Sequence, residues 1–367
     1  PSGIRRDSLA CWAGTPPEDP GAELLRLLSS PNVSSREGVL RTYDLGVRGN
    51  TVVYPVEDPA GGHNDAAVIR PLEDSWEGVV ISVGLRPRYS RLSPYWMAAS
   101  SIDEAMRNNS AVGGRRISLL DNFAWGSPER PEEMWSLLEA LRACRDFASG
   151  FGAPFVSGKD SLYNESELGP VLPTLLITAV GIMPDVRRAV TSGLKSPGDS
   201  IYAVGVTRAE MGGSEYFAMR GIRGGSVPKV RIEESRGAME CVVRAIDEGL
   251  LVASHDVSDG GIAVAAAEMA ISGHMGMELD LGQVPSEGTS RDYQQLFSES
   301  NGRFLVEARA GADEELEHLM KSIGCTFSRV GSVLREDHLV IRGRKELDLG
   351  LEELEAAWRR APWRGLG

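Results

Sequence analysis

The sequence has little of what marks several classes of protein. Its 367 residues include four cysteines, none with C-x-x-C spacing, so neither a thiol metal site nor a disulfide framework is indicated. Acidic residues outnumber basic ones by 52 to 39, and the net charge of −13, without a Lys/Arg stripe, argues against a nucleic-acid partner. Apolar runs such as 171–180 fall short of the roughly 20 residues of a membrane helix. We expect a cytoplasmic protein without a membrane partner, in which four thiols stay reduced: Cys11, Cys144, Cys241 and Cys325.

The length points to more than one hydrophobic core. With 42% apolar residues, the chain exceeds what a single core usually absorbs, so we expect two lobes. Patterning predicts an α+β architecture with an N-terminal segment at 1–45, a first lobe at 46–186 and a second lobe at 187–367. Because the chain starts with Pro1 rather than Met, we also expect it to be a piece of a longer polypeptide.

Local patterns predict several elements. β-Branched runs at 66–69 and 78–83 and an apolar run at 172–182 are typical of strands. Acidic residues followed by apolar ones at helical spacing predict an amphipathic helix over 128–150. A second helix is expected to open after the Gly260-Gly261 pair and to end at Gly273 as its left-handed terminal residue.

Four polar side chains beside small residues form the first candidate site. Glu104 and Asn108 are four residues apart, so a helix would place their oxygens on one face. Oxygen ligands of this kind suit Mg²⁺, which usually also contacts substrate phosphates. An i,i+4 pair is, however, more often a solvated helix face. Asp65 and Asp256 complete the candidate set of four: Asp65, Glu104, Asn108 and Asp256.

The segment 254–261, Ser-His-Asp-Val-Ser-Asp-Gly-Gly, leaves two interpretations open. Backbone N–H groups at a glycine-opened helix N-terminus bind phosphate well, and the nearby carboxylates are suited to holding its metal. Alternatively, Asp259 is an ordinary N-cap and His255 is merely hydrogen-bonded. The segment Met211-Gly-Gly-Ser-Glu215 is a further, weaker candidate for an anion-binding nest.

Two polar loops flank the helix expected at 128–150. One contains Asp121 and the other contains Gly158, Lys159 and Ser161, a set that offers close backbone approach, a cation and a hydroxyl to a phosphate. The second loop lacks the glycine spacing of a P-loop, and both loops also fit ordinary Asx or Ser turns. No nucleophile–base pair is evident in the sequence.

Seven segments stand in this order along the chain: SPNVSSREGVLRTYD, SVGLRPRYSRLSPYWMAASSIDEAMRN, LLDNFAWGSPERPEEMWSLLEA, VSGKDSLYNE, GGSEY, HDVSDGGIAVAAAEMA and LFSESNGRFLV. Together they closely resemble the C-terminal half of phosphoribosylformylglycinamidine synthase, an ATP-dependent ligase of purine biosynthesis. The resemblance covers nearly the whole chain and implies the two-lobed fold of aminoimidazole-ribonucleotide synthetase, with mixed sheets packed against helices.

The resemblance also implies ligands and residue roles. Asp121, Gly158 and Lys159 match nucleotide contacts, and Ser161 matches a substrate contact. Ser258 matches a nucleotide contact in a second site, which holds a structural ADP and whose magnesium ligands match Asp65, Glu104, Asn108 and Asp256. ATP and Mg²⁺ are thus the implied ligands.

Partners follow from the same resemblance. The family has two such halves in tandem, and its N-terminal half carries a Ser-His-Asn-His segment with the catalytic histidine, which this sequence lacks. We therefore expect the N-terminal half, a glutaminase and a small accessory subunit as partners, or a homodimer of this chain. Two alternatives stay open: a stand-alone aminoimidazole-ribonucleotide-synthetase-like enzyme, and a non-catalytic half that binds nucleotide or only pairs with a partner.

Overall fold

The computed structural model describes residues 19–57 and 61–360. Its α-helices are α1 Pro20–Leu28, α2 Glu37–Leu40, α3 Pro94–Ala111, α4 Pro131–Phe151, α5 Glu215–Met219, α6 Ile232–Asp247, α7 Gly261–Gly273, α8 Asp292–Phe297, α9 Asp313–Ile323 and α10 Leu351–Trp358. Within these two ranges, no helix combines the length and apolar character that crossing a membrane requires.

Strands are distributed over two large sheets and three short pairs. They are β1 Thr51–Val53, β2 Val56–Glu57, β3 Gly62–His63, β4 Ala66–Ile69, β5 Gly78–Leu85, β6 Arg115–Ala124, β7 Phe155–Ser161, β8 Glu165–Ser166, β9 Gly169–Pro170, β10 Thr174–Met183, β11 Ser200–Val204, β12 Thr207–Arg208, β13 Leu251–Asp256, β14 Gly276–Asp280, β15 Ser286–Glu287, β16 Phe304–Ala308, β17 Phe327–Leu334, β18 His338–Arg342 and β19 Leu347–Gly350.

The first sheet has the order β1-β4-β5-β10-β6-β7 and is antiparallel except for the parallel pair β6 and β7. The helix α4 connects these two parallel strands, as a parallel crossover requires. Alternating residues of β5 are buried against α3, whereas the residues between them face outward. The helices therefore cover one face of this sheet.

The second sheet has the order β13-β16-β11-β17-β14-β18-β19 and is covered on both faces. Its strands β11 and β16 are buried at every residue, which fits sequences that are apolar except for Ser200 and Glu307. One face shares a core with the first lobe, in which α3 packs against α6, and the other face packs on α1, α7, α8 and α10. The two lobes are joined by a continuous core.

The expected α+β fold is confirmed, with small differences at the element ends. The helix expected over 128–150 is found at Pro131–Phe151, because the proline occupies its first turn and Gly152 ends it with φ +68°. The strand expected over 172–182 is found at Thr174–Met183. Gly273 was predicted as the left-handed terminal residue, but that conformation belongs to His274, with φ +50°. Gly273 instead remains helical.

The N-terminal segment predicted at 1–45 is only partly described, since residues 1–18, which include Cys11, lie outside the described residues. Its helix α1 buries Leu24, Leu27 and Leu28 in the core of the second lobe. The lobe boundary at residue 186 stays a prediction, with one sheet on each side of it in the sequence. Cys144, Cys241 and Cys325 are free thiols.

Gly84 sets how closely β5 approaches α3. A Cβ at this position would lie 2.1 Å from the Ser101 carbonyl oxygen and 2.5 Å from the Ala105 nitrogen, both backbone atoms. We expect Gly84→Ala to lower the free energy of unfolding by about 1–3 kcal/mol, because the strand must move off the helix. Denaturation in urea measures the loss.

Gly237 in α6 provides the matched control, since a Cβ there would meet nothing within 4 Å. Gly237→Ala should stabilise the helix by up to about 1 kcal/mol. Equal stability of Gly84→Ala and the unmodified chain would contradict the close packing described above.

Candidate functional site

A cluster of buried charges lies where the two lobes meet. Arg86, at the end of β5, is only 4% exposed and donates from Nη2 to Glu104 Oε1 on α3 at 2.8 Å. The same guanidinium pairs through Nη1 with Asp259, which precedes α7 in the second lobe. Arg86 thus bridges carboxylates from both lobes.

Arg107, one turn after Asp103 on α3, makes a second bridge. It pairs with Asp103 and donates from Nη2 to Asp256 Oδ2, at the end of β13, at 3.0 Å. Its relative exposure is 1%, so both its partners are needed to offset the loss of hydration. The i,i+4 spacing of α3 places Asp103 beside it, and the sheet of the second lobe supplies Asp256.

Ser258 joins the two bridges. Its Oγ lies 2.5 Å from Asp256 Oδ2 and 3.2 Å from Glu104 Oε1, and it also accepts hydrogen bonds from Arg86 and Arg107. Glu104, Asp256 and Ser258 were predicted from the sequence as parts of one site, and the structure brings them together. They converge although α3 and β13 belong to different lobes.

The carboxylates of this cluster differ in proton affinity. Burial raises the pKa of Glu104 to about 7, although Arg86 opposes the shift. Burial also acts to raise the pKa of Asp256, but Arg107 and His255 outweigh it and leave this pKa below its ordinary value. Asp256 is therefore the more persistent anion.

Asp65 lies beside Asp256 but is engaged differently. Its Oδ1 is 2.7 Å from His255 Nδ1, and its Oδ2 accepts from the Asp256 backbone N–H at 3.2 Å. The other ring nitrogen of His255 is 3.1 Å from Glu268 Oε2. Burial acts to lower the pKa of His255, but Asp65 and Glu268 together raise it well above its ordinary value. A charged imidazole between two carboxylates follows, and it orients Asp65.

The oxygen donors of the cluster fit Mg²⁺. Asn108 donates from Nδ2 to the Val83 carbonyl at 2.8 Å, which leaves its Oδ1 buried and without a hydrogen-bond partner among the described residues. Such an orphaned amide oxygen, one helical turn from Glu104, is a donor suited to a hard cation. Ligand atoms of Asp65, His255 and Asp256 lie within 4.8 Å of one another, but a charged imidazole cannot ligate a cation, so the two carboxylates are the donors of this group.

The N-terminus of α7 holds a carboxylate from its own chain. Glu299 Oε1 accepts from the backbone N–H of Gly260 at 3.0 Å and of Glu215 at 2.8 Å, and Tyr89 donates to its other oxygen at 2.7 Å. The alternative in which Asp259 caps this helix is wrong, because Asp259 pairs with Arg86 and the cap position is Gly260.

A cavity of about 390 Å³ opens onto these groups. Its lining residues include Glu104, Asn108, Asp259, Glu299 and Arg86. The volume is within the range of small-molecule sites, and a few convergent polar groups line it. The arrangement can hold a cation at its oxygen donors and an anion at its guanidinium groups.

The other predicted group lies in β6 and in the edge strand β7 of the first sheet, not in the two loops expected from the sequence. Parallel pairing of β6 and β7 sets Asp121 against Gly158, and a Cβ on Gly158 would lie 2.3 Å from Asp121 Oδ1. Lys159 pairs in register with Asn122 and faces the opposite side of the sheet from Asp121. Ser161 ends the strand, with its Oγ 3.2 Å from Asn164 Oδ1. Asp121, Gly158, Lys159 and Ser161 are therefore neighbours, but they are divided between the two faces of the sheet.

Sequence reasoning missed the cationic half of the cluster. Arg86 and Arg107 lie within segments that carry the family resemblance, yet neither is among the predicted site residues. Glu299 likewise stood in the LFSES segment. The one signal for Arg107 was its i,i+4 spacing from Asp103, which also fits a solvated pair.

Two family models match this chain, one in each predicted lobe. The N-terminal domain of AIR synthase related protein matches residues 63–183, and the C-terminal domain of the same family matches residues 196–344. The chain therefore belongs to the AIR synthase related family.

Within that family, the chain is similar to phosphoribosylformylglycinamidine synthase subunit PurL. It is 39% identical to the Methanothrix thermoacetophila subunit over 93% of this chain and 44% of that protein. The Thermococcus sibiricus subunit is 38% identical over 92% of this chain and 46% of that protein. The chain thus spans about half the length of the curated relatives it matches, and the resemblance seen in the sequence is confirmed.

Solved structures agree on the fold. Thermotoga maritima PurL complexed with FGAR superposes with a TM-score of 0.73 at 18% identity, covering 91% of this chain and 53% of that one. PurLQS from the same organism gives 0.72 at 18% identity, covering 91% and 51%. The ATP complex of T. maritima PurL gives 0.68 at 17% identity, again covering 91% and 51%.

Glu299 should make stability depend on pH. Burial, with Asp259 next in importance, raises its pKa from 4.5 to about 8. The folded protein then holds this proton more tightly than the unfolded chain, so its contribution to the free energy of unfolding is full below pH 4.5 and declines toward pH 8. Glu299→Gln cannot titrate, and we expect its melting temperature to fall less over this interval.

Thermal melts across the same pH series test this prediction. Glu336→Gln, at an exposed position, is the matched control and should keep the slope of the unmodified chain. If Glu299→Gln also keeps that slope, the proton of Glu299 is not the origin of the pH dependence.

Proposed function

We propose that this chain supplies one half of a phosphoribosylformylglycinamidine synthase. The complete enzyme converts formylglycinamide ribonucleotide to its amidine, with ATP and glutamine-derived ammonia as co-substrates. The single observation that carries the proposal is the 38–39% identity to subunits of this synthase over 92–93% of the chain. An ATP-dependent C–N ligase of purine biosynthesis in the cytoplasm is the activity in which this half would take part.

The role of this half would be nucleotide and metal positioning. Asp65, Glu104, Asn108 and Asp256 would hold Mg²⁺, and Ser258 would contact the nucleotide, whether ATP or a structural ADP. The convergence of Glu104 and Asp256 on Ser258 and the orphaned oxygen of Asn108 support this assignment. A bound Mg²⁺ would supply positive charge to neutralise phosphate oxygens.

In the reaction, ATP would phosphorylate the formamide oxygen, and ammonia would then displace inorganic phosphate from the resulting iminophosphate. Arg86 and Arg107 are already held at the boundary between the lobes and would stabilise negative charge there without reorganisation. Asp121, Gly158 and Lys159 would contact nucleotide, and Ser161 would contact the ribonucleotide substrate, at the exposed edge of the first sheet. The catalytic histidine would come from the companion half.

Asp256→Asn tests the metal assignment. With ATP and Mg²⁺ near 100 times the dissociation constant, the unmodified chain should gain about 2.7 kcal/mol of stability. We expect Asp256→Asn to lose about 1.4 kcal/mol of that gain, equivalent to tenfold in affinity, because a persistent anionic ligand is removed. Melting with and without ligand measures the gain for each variant separately.

Each variant is compared with its own ligand-free form, since the substitution also weakens the pair with Arg107. Asp74→Asn, at an exposed turn, is the matched control and should keep the full gain. A full gain in Asp256→Asn would remove this residue from the ligand set, and no gain in the unmodified chain would contradict nucleotide binding by this half.

The outer face of the first sheet is proposed as the surface that meets the companion half. Ile81, Val83 and Leu85 on β5 are 36–49% exposed, and Ile182 on β10 is 40% exposed. Cross-strand pairing sets Leu176 beside Leu85 and extends this apolar face across the sheet. A sheet face of this character normally packs on a second layer. The remaining half of the relatives' length is long enough to supply a second unit of the same size.

A glutaminase and a small accessory subunit are the further partners that the synthase requires. The PurLQS assembly of T. maritima supports their place in the complex. The stand-alone alternative, a homodimer like aminoimidazole-ribonucleotide synthetase, would use the same sheet face. It gains no support from relatives that are about twice as long as this chain.

Val83→Asp tests the pairing surface. In the absence of the companion half, we expect the chain to dimerise through its open sheet face and Val83→Asp to make it monomeric, because a charge would be buried at the centre of the contact. Light scattering over a concentration series reports the mass. Leu168→Asp, at a position 99% exposed in the β8–β9 hairpin, is the control and should remain dimeric. A monomeric unmodified chain, or a dimeric Val83→Asp, would contradict the assignment.

A further inference from the structure

The outward side of α4 carries an apolar stripe. Met134, Leu138 and Leu141, with Trp135 beside them, are 38–47% exposed. Spacings of four and three residues place the first three side chains on one line along the helix. Exposed apolar residues are usually scattered singly, whereas a contiguous group marks an interaction surface. Tryptophan and methionine are also enriched where proteins bind one another.

The same line leads to a basic cavity. Arg145 follows Leu141 by one helical turn, and Gly152, which ends α4, follows Arg145 by two. Gly152 and Phe151 line a cavity of about 290 Å³ at this end of the helix. Glu240 is the only carboxylate among its lining residues in the described part of the chain, against four arginines: Arg115, Arg116, Arg236 and Arg244. In a chain of net charge −13, this is a local reversal of sign.

Two of the four arginines have unused donors. Arg115 is held by Asp247, with both Nη–Oδ distances at 2.5 Å, and Arg244 has a carboxylate partner 3.6 Å away. Arg116 and Arg236 are exposed, and neither guanidinium has a hydrogen bond or ion pair with a residue in 19–57 or 61–360. Such groups bind a carboxylate through two parallel hydrogen bonds.

The backbone of β6 brings Arg116 to this cavity. Arg116 has φ +50°, a conformation that few residues other than glycine adopt. Together with Ile117 it stands opposite the single residue Gly181, so β6 bulges at this point. A bulge turns a side chain away from the direction that a regular strand would give it. The strained conformation thus adds an unpaired cation to the surface at the end of α4.

This surface is separate from the two sites described above. α4 packs against α3 on the covered face of the first sheet, whereas the companion half is proposed to meet the other face. The cavity at the end of α4 shares no lining residue with the 390 Å³ cavity at the acidic cluster. All three surfaces can therefore be occupied at the same time.

We propose that the outward side of α4, from Met134 to the cavity at Gly152, binds an amphipathic helix of a partner protein. The partner helix carries acidic residues in its first two turns, which pair with Arg116 and Arg236. Its later turns are apolar on one face and pack on the stripe around Leu138. The proposal does not depend on the nucleotide and metal roles assigned above.

Charge sets the direction and length of the partner helix. Acidic residues stabilise the first turn of their own helix, so the acidic end is its N-terminus. With that end over the cavity, the partner helix runs antiparallel to α4, and each helix terminus meets the opposite partial charge of the other. Met134 and Gly152 are about 27 Å apart along the axis at 1.5 Å per residue, so a helix of about 18 residues spans the surface.

A synthetic helical peptide of about 20 residues, with glutamates in its first two turns and leucines on one face of the later turns, is the probe. Fluorescence anisotropy of the labelled peptide with the full 367-residue chain measures binding. We expect micromolar affinity that weakens with added salt, because the ion pairs face solvent. A peptide with the acidic and apolar segments exchanged should bind at least about threefold more weakly, since its glutamates oppose its own helix dipole.

Leu138→Glu should weaken peptide binding at least about tenfold, because an apolar contact worth about 1.5 kcal/mol or more is lost. Leu72→Glu, at a position 57% exposed outside this surface, is the matched control and should bind as the unmodified chain does. Arg116→Asn combined with Arg236→Gln should weaken binding about tenfold and reduce its salt dependence. Asparagine is chosen because it tolerates the positive φ.

The proposal is overturned if the unmodified chain does not bind the peptide at millimolar concentration, or if Leu138→Glu or the double variant binds it as tightly. Equal affinity for the exchanged peptide would overturn the antiparallel direction. Light scattering tests whether a second copy of this chain is the occupant. Leu138→Glu should keep the mass of the unmodified chain, and a smaller mass would overturn the assignment to a partner protein.

Discussion

The buried pair of Arg107 with Asp256 is the interaction on which the rest of the site depends. It joins α3 of the first lobe to the end of β13 in the second, and its two side chains are at most 5% exposed. Arg107 also has Asp103 as a partner in its own lobe, but separating the lobes would leave the buried Asp256 without its guanidinium partner, which is strongly destabilising. Arg86 likewise has Glu104 in its own lobe and pairs with Asp259 of the other. Docking of the lobes and assembly of the site are therefore one event.

The carboxylates that pair with Arg86 and Arg107 hold the two lobes together, and the same carboxylates are candidate ligands for a cation. Two arginines face four carboxylates, of Asp103, Glu104, Asp256 and Asp259, so anionic groups are in excess. Partial protonation of Glu104, with its pKa near 7, relieves that excess in the ligand-free protein. A Mg²⁺–nucleotide would bring a cation for the carboxylates and an anion for the guanidinium groups, and so would replace one balanced arrangement by another.

Contacts between residues close in the sequence could be predicted, whereas contacts between residues far apart in the sequence could not. Local signals predicted the strand at 66–69 and a helix over 128–150 that is found at 131–151, and the i,i+4 spacing of Glu104 and Asn108 fits their place on one helix. The interpretation of Asp259 as a helix cap is wrong because Asp259 pairs with Arg86, which is 173 residues away in the sequence. The contact of Gly158 with Asp121 likewise depends on parallel pairing across α4. When the fold brings together residues that are distant in the sequence, no characteristic spacing between them predicts the contact.

The outer face of the first sheet exposes apolar side chains to solvent. An antiparallel sheet with one solvated face usually alternates apolar and polar residues, yet the outward-facing residues of β5, Val79, Ile81, Val83 and Leu85, are all apolar. Leaving residues such as Val83 and Leu85 in water forfeits burial energy of about 25 cal/mol per Å² that a second sheet would recover. Arg107 and the shared core bury the surfaces at which the two lobes meet. The first lobe, in contrast, still exposes apolar side chains to solvent on the outer face of its sheet. An apolar outer face of this kind supports the pairing with a companion half that we propose above.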